Sequence, residues 1–410
     1  MDLRKDAARI IREAIQAVMP EKAVLDALST MEFSRGRLLV VAIGKAAWNM
    51  ASAAVSHLGD RVDGGCVITK YGHSRGPLPP LSIYEAGHPV PDENSYLATE
   101  AALSMTANLS GEDTVLFLVS GGGSALFEAP LISPREMELI GEQLLRSGAH
   151  ITEINAVRKC LSRVKGGRFA RHCAPARVVS LLLSDVLGDR PDVIASGPAC
   201  VDASTGPDAL EIVAKYDLHL SDAAMDCLLR PLPDSLPNAE NHISGSVRQL
   251  CQAAAKVAER LGYAPTILTD QLQCEARDAG KMMGETAIRH QEASRPLAFI
   301  AGGETVVHVQ GNGLGGRNQE LALAAVPYIA KCRDTLLFSV GSDGTDGPTD
   351  AAGGMVDANT QRLLQMRNIS VEDALRQNDA YHALQAADGL IFTGPTGTNV
   401  NDLTVLLISR

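Results

Sequence analysis

Two cations stand where the pattern of the chain predicts the start of a helix. Lys45 follows Gly44 at the end of a short apolar run, and Arg317 follows Gly315-Gly316. A positive side chain opposes the dipole at a helix N-terminus and costs a few tenths to about 1 kcal/mol. A bound anion would offset this cost, because free N–H groups, the dipole and the cation all attract it. The two positions therefore predict phosphate or carboxylate sites, with solvent-facing side chains as the alternative.

A loop of small residues follows the apolar run at residues 116–119. It consists of Ser120, Gly121, Gly122, Gly123 and Ser124. Glycines lack a β-carbon, so consecutive N–H groups can converge on a phosphate. The Gly-Lys-Ser or Gly-Lys-Thr ending of a P-loop is missing, and a tight strand-to-helix turn is the alternative reading. We predict that these five residues bind phosphate.

Residues 155–171 carry six cations and no acid. In a chain of net charge −11, such a stretch predicts a local positive field that could concentrate an anionic substrate. Asn155, Arg158 and Lys159 share one helical face by their spacing. A solvated basic face of a helix is the alternative.

Acidic side chains follow two other apolar runs. Asp185 and Asp189 come after the run at residues 178–183, and Asp343, Asp346 and Asp350 come after the run at residues 336–340. Mg²⁺ typically takes one or two carboxylates together with substrate phosphates and water, so either residue of the first pair could hold it while the other acts as a general base. The second set does not fit an EF-hand loop, and helix capping is the plain reading for at least one member. The ten histidines show no zinc spacing.

The segment Gly311–Gly316 matches the G-x-G-x-x-G pattern of dinucleotide-binding loops. The residues before it alternate between apolar and polar, unlike the buried first strand of a dinucleotide-binding unit. A glycine-rich loop that presents Arg317 fits the pattern better.

These candidates share a position in the chain, because short apolar runs repeatedly break off into polar or glycine-rich turns. Six such runs occur, at residues 38–43, 115–119, 178–183, 297–301, 336–340 and 390–392. Fully apolar strands are typical of parallel sheets buried on both faces, whose ligands bind at the carboxyl ends of the strands. The alternation of strands and helices up to residue 200 predicts a doubly wound α/β sheet.

A chain of 410 residues predicts two domains. The proline-rich break between Arg230 and Ile243 is the best boundary, giving domains at 1–237 and 238–410. The net charge of −11 argues against nucleic-acid binding, and no apolar stretch reaches the roughly 20 residues that span a bilayer. Eight cysteines without a C-x-x-C pair, and a charged amphipathic N-terminus, indicate a cytoplasmic protein.

Together, eight ordered motifs resemble the glycerate 2-kinase family, whose C-terminal part is called the MOFRL domain. They are GKAA from Gly44, VSGGGSAL from Val119, NAVRK from Asn155, LSDVLGD from Leu183, AGGET from Ala301, GGRNQEL from Gly315, GTDGPTD from Gly344 and GPTGTNVNDL from Gly394. The resemblance runs from about residue 5 to the C-terminus. It implies a mostly parallel N-terminal domain, a smaller α/β MOFRL domain and an active site in the cleft between them. It also implies ATP- and Mg²⁺-dependent phosphorylation of D-glycerate at its 2-hydroxyl group.

The family's important Lys and Arg correspond to Lys45 and Arg317, which become predicted catalytic residues together with Asp185. We expect Asp189 to bind the metal. The predicted substrate-binding residues are Asn155, Arg158, Lys159 and Ser196. The predicted nucleotide- or phosphate-binding residues are the loop Ser120 to Ser124 and Gly303, Glu304, Thr305, Asp343, Thr396 and Asn399. Cys160 replaces the basic residue that usually follows Arg-Lys in the family, with little expected consequence because it lies off the Asn155 face.

Two other functions remain open at this stage. Some family members are labelled hydroxypyruvate reductase, which predicts NADH oxidation carried by the Gly311–Gly316 loop. A two-domain protein that only binds a hydroxyacid predicts affinity without turnover and without a need for Mg²⁺. The sequence also leaves the oligomeric state open, with a homodimer as one option.

Overall fold

The computed structural model describes residues 2–202 and 206–409, which form two compact units. The first unit is Ala23–Ser244, and the second unit combines Met1–Lys22 with Gly245–Arg410. The division near residue 244 falls a few residues after the predicted boundary. The larger difference is at the N-terminus, whose residues belong with the C-terminal part of the chain.

Helix α1 (Leu3–Ala17) belongs to the second unit because one of its faces is apolar. Ile10, Ile11 and Ile15 recur at helical spacing and are buried. Polar contacts hold the same helix, since Tyr263 Oη donates a hydrogen bond to Asp6 Oδ2 at 2.8 Å. The charged amphipathic N-terminus that the sequence indicates is therefore a helix, and it packs within the second unit.

The first unit is a doubly wound sheet of six strands in the order β3-β2-β1-β4-β5-β6. The strands are β1 (Leu38–Ile43), β2 (Gly64–Lys70), β3 (Ser82–Ala86), β4 (Thr114–Val119), β5 (Arg177–Leu183) and β6 (Ala239–Gly245). Strands β1 to β5 pair with one another in parallel. Every residue of β1 and β4 is buried, as expected for a parallel sheet covered on both faces.

Helices and short connections fill the rest of the first unit. They are α2 (Pro20–Leu28), α3 (Ala47–Leu58), α4 (Glu93–Met105), α5 (Gly123–Leu126), α6 (Pro134–Arg146), α7 (Ile151–Cys160), α8 (Arg168–Cys173), α9 (Gly206–Lys215) and α10 (Asp222–Leu229), with 3₁₀ turns at Gly59–Arg61 and Ile194–Ser196. Helix α2 begins in the last residues of the N-terminal segment.

The strand order reverses between β1 and β4, because β2 and β3 extend the sheet on one side and β5 and β6 on the other. Ligands of open α/β sheets bind at the carboxyl ends of the strands at such a reversal. In this sheet the turn after β1, which carries Lys45, and the loop after β4, Ser120 to Ser124, lie side by side at the reversal.

The second unit contains a mixed sheet in the order β11-β10-β9-β12-β8-β7. Its strands are β7 (Ala264–Leu272), β8 (Leu297–Gly303), β9 (Thr335–Gly341), β10 (Gly353–Asp357), β11 (Leu390–Ile391) and β12 (Asp402–Ile408). Only β7 and β8 pair in parallel, and the other neighbours are antiparallel. The expectation of parallel strands is therefore wrong in this unit, because an apolar run reports burial on both faces and not strand direction.

Six further helices cover this sheet. They are α11 (Val247–Arg260), α12 (Ala276–His290), α13 (Arg317–Ile329), α14 (Thr360–Met366), α15 (Val371–Arg376) and α16 (Ala380–Ala386). Within residues 2–202 and 206–409, no helix is both long and apolar enough to cross a bilayer. All eight cysteines are unbridged thiols.

Candidate active site

The turns after β1 and β4 are tied together by the backbone. Lys45 N–H donates to the Gly121 carbonyl at 2.9 Å, and Ala46 N–H donates to Ser120 Oγ at 3.0 Å. Gly44 has φ +110°, and a β-carbon on it would overlap Ser120. The close approach therefore requires glycine at position 44 and holds Lys45 against the loop Ser120 to Ser124, called the glycine loop below.

The Lys45 side chain reaches the middle of the glycine loop. Its Cε lies 3.4 Å from the position that a β-carbon on Gly122 would take, and Gly122 itself has φ +87°. Helix α3 begins at Ala47, so Lys45 stands in the turn before the helix and not in its first turn. The helix dipole is therefore not the reason to expect an anion beside Lys45. The reason is instead that Lys45 contacts a glycine loop at the point where the strand order reverses.

His88 approaches the same side of Gly122. Its Nε2 lies 3.0 Å from the position of that β-carbon. Burial, and then the charges of Lys45, Lys70 and His73, lower the pKa of His88 below its ordinary value of 6.5, which favours the neutral imidazole. Sequence reasoning missed this residue, although the rule that found the other candidates applies, because His88 follows the end of β3.

Two predicted residues reach the glycine loop from the chain after β5. The Asp185 carboxylate lies against Gly121, where any β-carbon would overlap its Oδ2. Ser196 is buried, and its Oγ lies 2.9 Å from Ser124 Oγ. Ser196 has φ +62°, a conformation that non-glycine residues adopt at a cost of order 1–3 kcal/mol. The structure thus gathers Lys45, Asp185 and Ser196 at one loop.

Asp189 lies four residues beyond Asp185 and also has a positive φ, of 52°. Its Oδ1 is buried and accepts no hydrogen bond from the residues that the structure describes. A buried carboxylate oxygen that accepts no hydrogen bond is suited to binding a cation, with Asp189 as the single carboxylate ligand. Across residues 2–202 and 206–409, however, no group of three or more His, Cys, Asp or Glu side chains is arranged to hold a metal by itself.

The basic stretch does not form the free positive surface that its composition predicts. Lys159, predicted to bind substrate, is buried in an ion pair with Asp202. Lys165 pairs with Glu128 in the interior, and Arg163 pairs with Glu100. The sequence interpretation failed here because the neutralising acids come from other parts of the chain.

Arg158 and Asn155 are the members of the predicted face that remain half-buried. Arg158 lines a surface groove with Pro89, Tyr96 and Glu138. Pro89 directly follows His88, so the segment that delivers the imidazole to the glycine loop also forms a wall of this groove. Of the basic face, Arg158 is thus the cation that opens onto a concave surface.

Lys165 supports the glycine loop from inside the protein. Its Nζ donates to the carbonyls of Ser124 at 2.9 Å and Phe127 at 3.3 Å, and also to Glu128. Ser162 Oγ in turn donates to Glu128 Oε1 at 2.6 Å. Burial lowers the pKa of Lys165 although the Glu128 charge raises it. Lys165 is therefore not part of a free positive field as the composition predicts, and its spacing in the sequence gives no sign of this supporting role.

In the second unit, Arg317 is the first residue of α13 and is held by two acids. Its Nε and Nη2 donate to Asp402 at 2.6 and 3.1 Å, and its Nη1 donates to Glu304 at 2.7 Å. Burial lowers the pKa of Arg317. The hydrogen bonds and charge of Asp402, together with the charge of Glu304, raise the pKa by more than burial lowers it, so the pKa lies above its usual value. Arg317 therefore stays charged.

The N-terminus of α13 already has an anion from the chain itself. Asp346 Oδ1 accepts from Asn318 N–H at 3.1 Å, and its Oδ2 accepts from Gln319 N–H at 2.9 Å. Burial raises the pKa of Asp346 to about 6, although these two N–H groups oppose the shift. The N-terminus of α13 therefore needs no external anion. The reading that at least one of the three aspartates caps a helix is met by Asp346, although the N-cap residue of α13 is Gly316.

The predicted nucleotide-binding residues of the second unit gather at one edge of its sheet. Asp402, at the start of β12, pairs with Gly303 at the end of β8 and with Gly341 at the end of β9. Thr396 N–H donates to the Asp343 carbonyl at 3.1 Å. Thr305 is buried, and its Oγ1 has no hydrogen-bond partner among the described residues, while Asn399 Oδ1 accepts from Asn401 N–H at 3.3 Å. Glu304 contacts Arg317 directly, and the other members of the set lie at the strand ends and in the turns on the same side of the sheet.

The Gly311–Gly316 segment does not form a dinucleotide-binding turn. Gly311 N–H donates to Asn378 Oδ1 at 3.0 Å, and Gly313 N–H donates to the Gln377 carbonyl at 2.8 Å. No strand directly precedes the segment. Its amides are directed to the chain's own residues before α16.

Comparison with known proteins places the chain in a family. A family model described as a domain of unknown function, DUF4147, matches residues 6–229, and the MOFRL family model matches residues 297–402. The D-glycerate 2-kinase of Thermotoga maritima is 50% identical over 99% of this chain and 98% of its own length. A Thermotoga maritima glycerate kinase crystal structure superposes with a TM-score of 0.96, at 50% identity and covering 99% of both chains.

Two further relatives carry different names. The glycerate 2-kinase of Pyrococcus horikoshii is 41% identical over 100% of this chain and 98% of its own length. An Agrobacterium vitis protein named "Putative hydroxypyruvate reductase" is 37% identical over 99% of this chain and 94% of its own length. Membership of one family follows from the full-length matches, and the two-unit α/β fold and the motifs at the glycine loop and Arg317 are consistent with it. The chain belongs to the glycerate 2-kinase family.

Proposed function

We propose that the protein is a glycerate 2-kinase, which transfers the γ-phosphoryl group of ATP to the 2-hydroxyl group of D-glycerate and releases 2-phosphoglycerate and ADP. The observation that carries this proposal is the placement of Lys45 on the glycine loop at the reversal of the first sheet. Phosphoryl transfer asks a protein mainly for positioning and for neutralisation of charge, and this site offers both.

In this mechanism Lys45 neutralises the transferring phosphoryl group, and N–H groups of the glycine loop orient its oxygens. Asp185 faces the same loop and orients the reacting groups. Arg317 stays a proposed catalytic residue of the second unit, and its two acidic partners hold its guanidinium in one orientation. Charge that is fixed before the reaction stabilises the transition state without reorganisation.

The glycerate carboxylate is proposed to meet Arg158, with Asn155 and Ser196 as hydrogen-bonding neighbours. Lys159 keeps a positioning role in this scheme, because its ammonium group already pairs with Asp202. The residues proposed to bind the nucleotide in the second unit are Gly303, Glu304, Thr305, Asp343, Thr396 and Asn399.

Mg²⁺ is proposed to arrive with the nucleotide, because the described residues offer single carboxylates and no metal cluster. Asp189 fits as the carboxylate that would hold it, since its Oδ1 is buried without a hydrogen-bond donor among the described residues. When bound, the cation would neutralise part of the charge on the phosphates. A cytoplasmic location and the oligomeric state stay predictions.

A coupled assay tests the proposed activity. The purified protein is incubated with D-glycerate, ATP and Mg²⁺, and we expect ADP together with a product that enolase alone can process. L-glycerate, omission of glycerate and addition of EDTA are the controls, each expected to abolish or strongly reduce ADP formation.

Two outcomes of the same assay would contradict the proposal. NADH consumption with hydroxypyruvate and no ADP formation would support a reductase. Saturable binding of glycerate without turnover and without a need for Mg²⁺ would support a binding protein. The folding of the Gly311–Gly316 segment onto residues 377 and 378 gives no support to the reductase.

A further inference from the structure

The proposed transfer leaves one chemical task unassigned among the residues at the glycine loop. The 2-hydroxyl group of glycerate must lose its proton as its oxygen bonds to phosphorus. Lys45 and Arg317 are cations and cannot accept it. The inference below rests on the proposed kinase function and concerns the residue that takes this proton.

His88 is the neutral base that stands beside Lys45. His88 Nε2 and Lys45 Cε lie 3.0 and 3.4 Å from one point, the position of a β-carbon on Gly122. Because residue 122 is glycine, both side chains can approach the loop this closely. The imidazole therefore lies next to the cation proposed to neutralise the transferring phosphoryl group.

We propose that His88 is the general base of the reaction. Its Nε2 accepts the proton of the 2-hydroxyl group while the hydroxyl oxygen forms its bond to the γ-phosphorus. The bond between that phosphorus and the β–γ bridging oxygen breaks, and ADP leaves with the electron pair. The imidazolium ion then releases its proton to solvent.

The surroundings of the ring keep it in the form that this step needs. His88 is half-buried, and burial together with the charges of Lys45, Lys70 and His73 lowers its pKa. A neutral imidazole also brings no negative charge toward the incoming phosphates. A carboxylate such as Asp185 would repel them, which makes it the weaker candidate for a base at this position.

Variants of His88 separate proton transfer from structural support. We expect His88→Gln to reduce kcat by roughly 10²–10⁴-fold, the usual range for loss of a general base, with KM for glycerate and ATP within about threefold of wild type. The matched control is His57→Gln, since His57 is an exposed histidine in the last turn of α3 and should leave kcat unchanged. Thermal unfolding of each variant verifies that it is folded.

The pH profile gives a readout that a structural role would not change. Protonation of His88 should produce an acid limb of kcat in the wild-type enzyme below pH 6.5, the ordinary histidine value. His88→Gln should lose this limb, and Asp185→Asn should keep it. Added imidazole should restore part of kcat to His88→Ala, which keeps the test valid if the glutamine variant does not fold.

Three results would overturn the inference: kcat of His88→Gln within threefold of wild type, an acid limb that persists in that variant, or no gain of His88→Ala activity with imidazole. A limb lost in Asp185→Asn instead would assign the base to Asp185. Failure of the kinase proposal is distinguishable, because the wild-type protein would then form no ADP from D-glycerate at any pH.

Discussion

Lys45 and Arg317 were identified by the same argument, yet the structure gives them different surroundings. Lys45 lies in a turn before α3, and its side chain approaches Gly122 of the glycine loop beside His88. Arg317 is inside the first turn of α13 and is bound by Asp402 and Glu304. The first cation thus lies against a glycine loop, whereas the second is fixed by two acidic side chains.

This difference predicts different results for the two alanine variants. Lys45→Ala should lower kcat at least 100-fold with a smaller change of KM, because the charge acts mainly in the transition state. Arg317→Ala should lower kcat and also reduce stability by about 3–5 kcal/mol, because Asp402 is left buried without its partner. Steady-state kinetics and urea denaturation measure the two effects.

Arg317→Lys is the matched control, since it keeps the charge and loses the two-pronged contact with Asp402. It should retain more stability than the alanine variant. Near wild-type kcat in both alanine variants would show that neither cation takes part in the reaction.

At the scale of elements, the site depends on how the ends of β1, β4 and β5 meet. The backbone bond from Lys45 to Gly121 joins the first two strands, and Asp185 adds the third. Beneath them, the Lys165–Glu128 ion pair is fully enclosed and holds the carbonyl of Ser124. Removing one partner of an enclosed ion pair is strongly destabilising, because it leaves the other charge buried and unpaired. Replacing both partners by neutral side chains costs much less.

A double-mutant cycle tests the role of this pair. Lys165→Met should destabilise the first unit by about 3–5 kcal/mol, because it leaves the Glu128 carboxylate unpaired in the interior. Lys165→Met combined with Glu128→Gln should recover much of the loss, since no charge remains and Gln can still accept from Ser162. Fluorescence of Trp48, the single tryptophan and a member of this unit, reports the unfolding in urea.

Arg146→Met provides the matched control for that cycle. Arg146 pairs with Glu142 on the surface of α6, with its side chain 81% exposed, and its loss should cost less than about 1 kcal/mol. If the double variant at Lys165 and Glu128 is as unstable as Lys165→Met alone, the unpaired charge is not the cause.

At the scale of the molecule, the chain builds its second unit from both of its ends. Helix α1 buries an apolar face there, although it is separated by more than 200 residues from the rest of that unit. Terminal segments usually tolerate change unless they are held by packing, and this helix is held.

Helix α1 therefore predicts a large effect close to the N-terminus. Ile10→Ala removes a fully buried side chain and should destabilise the second unit by about 2–5 kcal/mol. Arg12→Ala, on the exposed side of the same helix, should change stability by less than about 0.5 kcal/mol. Urea denaturation followed by far-ultraviolet circular dichroism compares them. Equal stability of both variants would contradict the packing of α1.

Local patterns of the chain were sufficient to predict much of this architecture. Six apolar residues in a row at Leu38–Ile43, followed by Gly44 and Lys45, predict a central parallel strand and a binding turn, and all six are buried in the structure. The glycine loop follows from the same reasoning. The eight motifs carried the family; seven of them lie at strand ends, in the adjoining turns or at a helix start, and NAVRK lies inside α7.

Tertiary structure alone decided which distant groups meet. Lys159 and Lys165 look like surface cations in the sequence, but Asp202 and Glu128 neutralise them in the interior. The approach of His88 to Gly122 and the antiparallel direction of β9 and β12 likewise depend on how the chain crosses its sheets. Composition and spacing describe neighbours along the chain, whereas ion pairs, strand direction and the convergence of side chains are set by contacts between residues far apart in sequence.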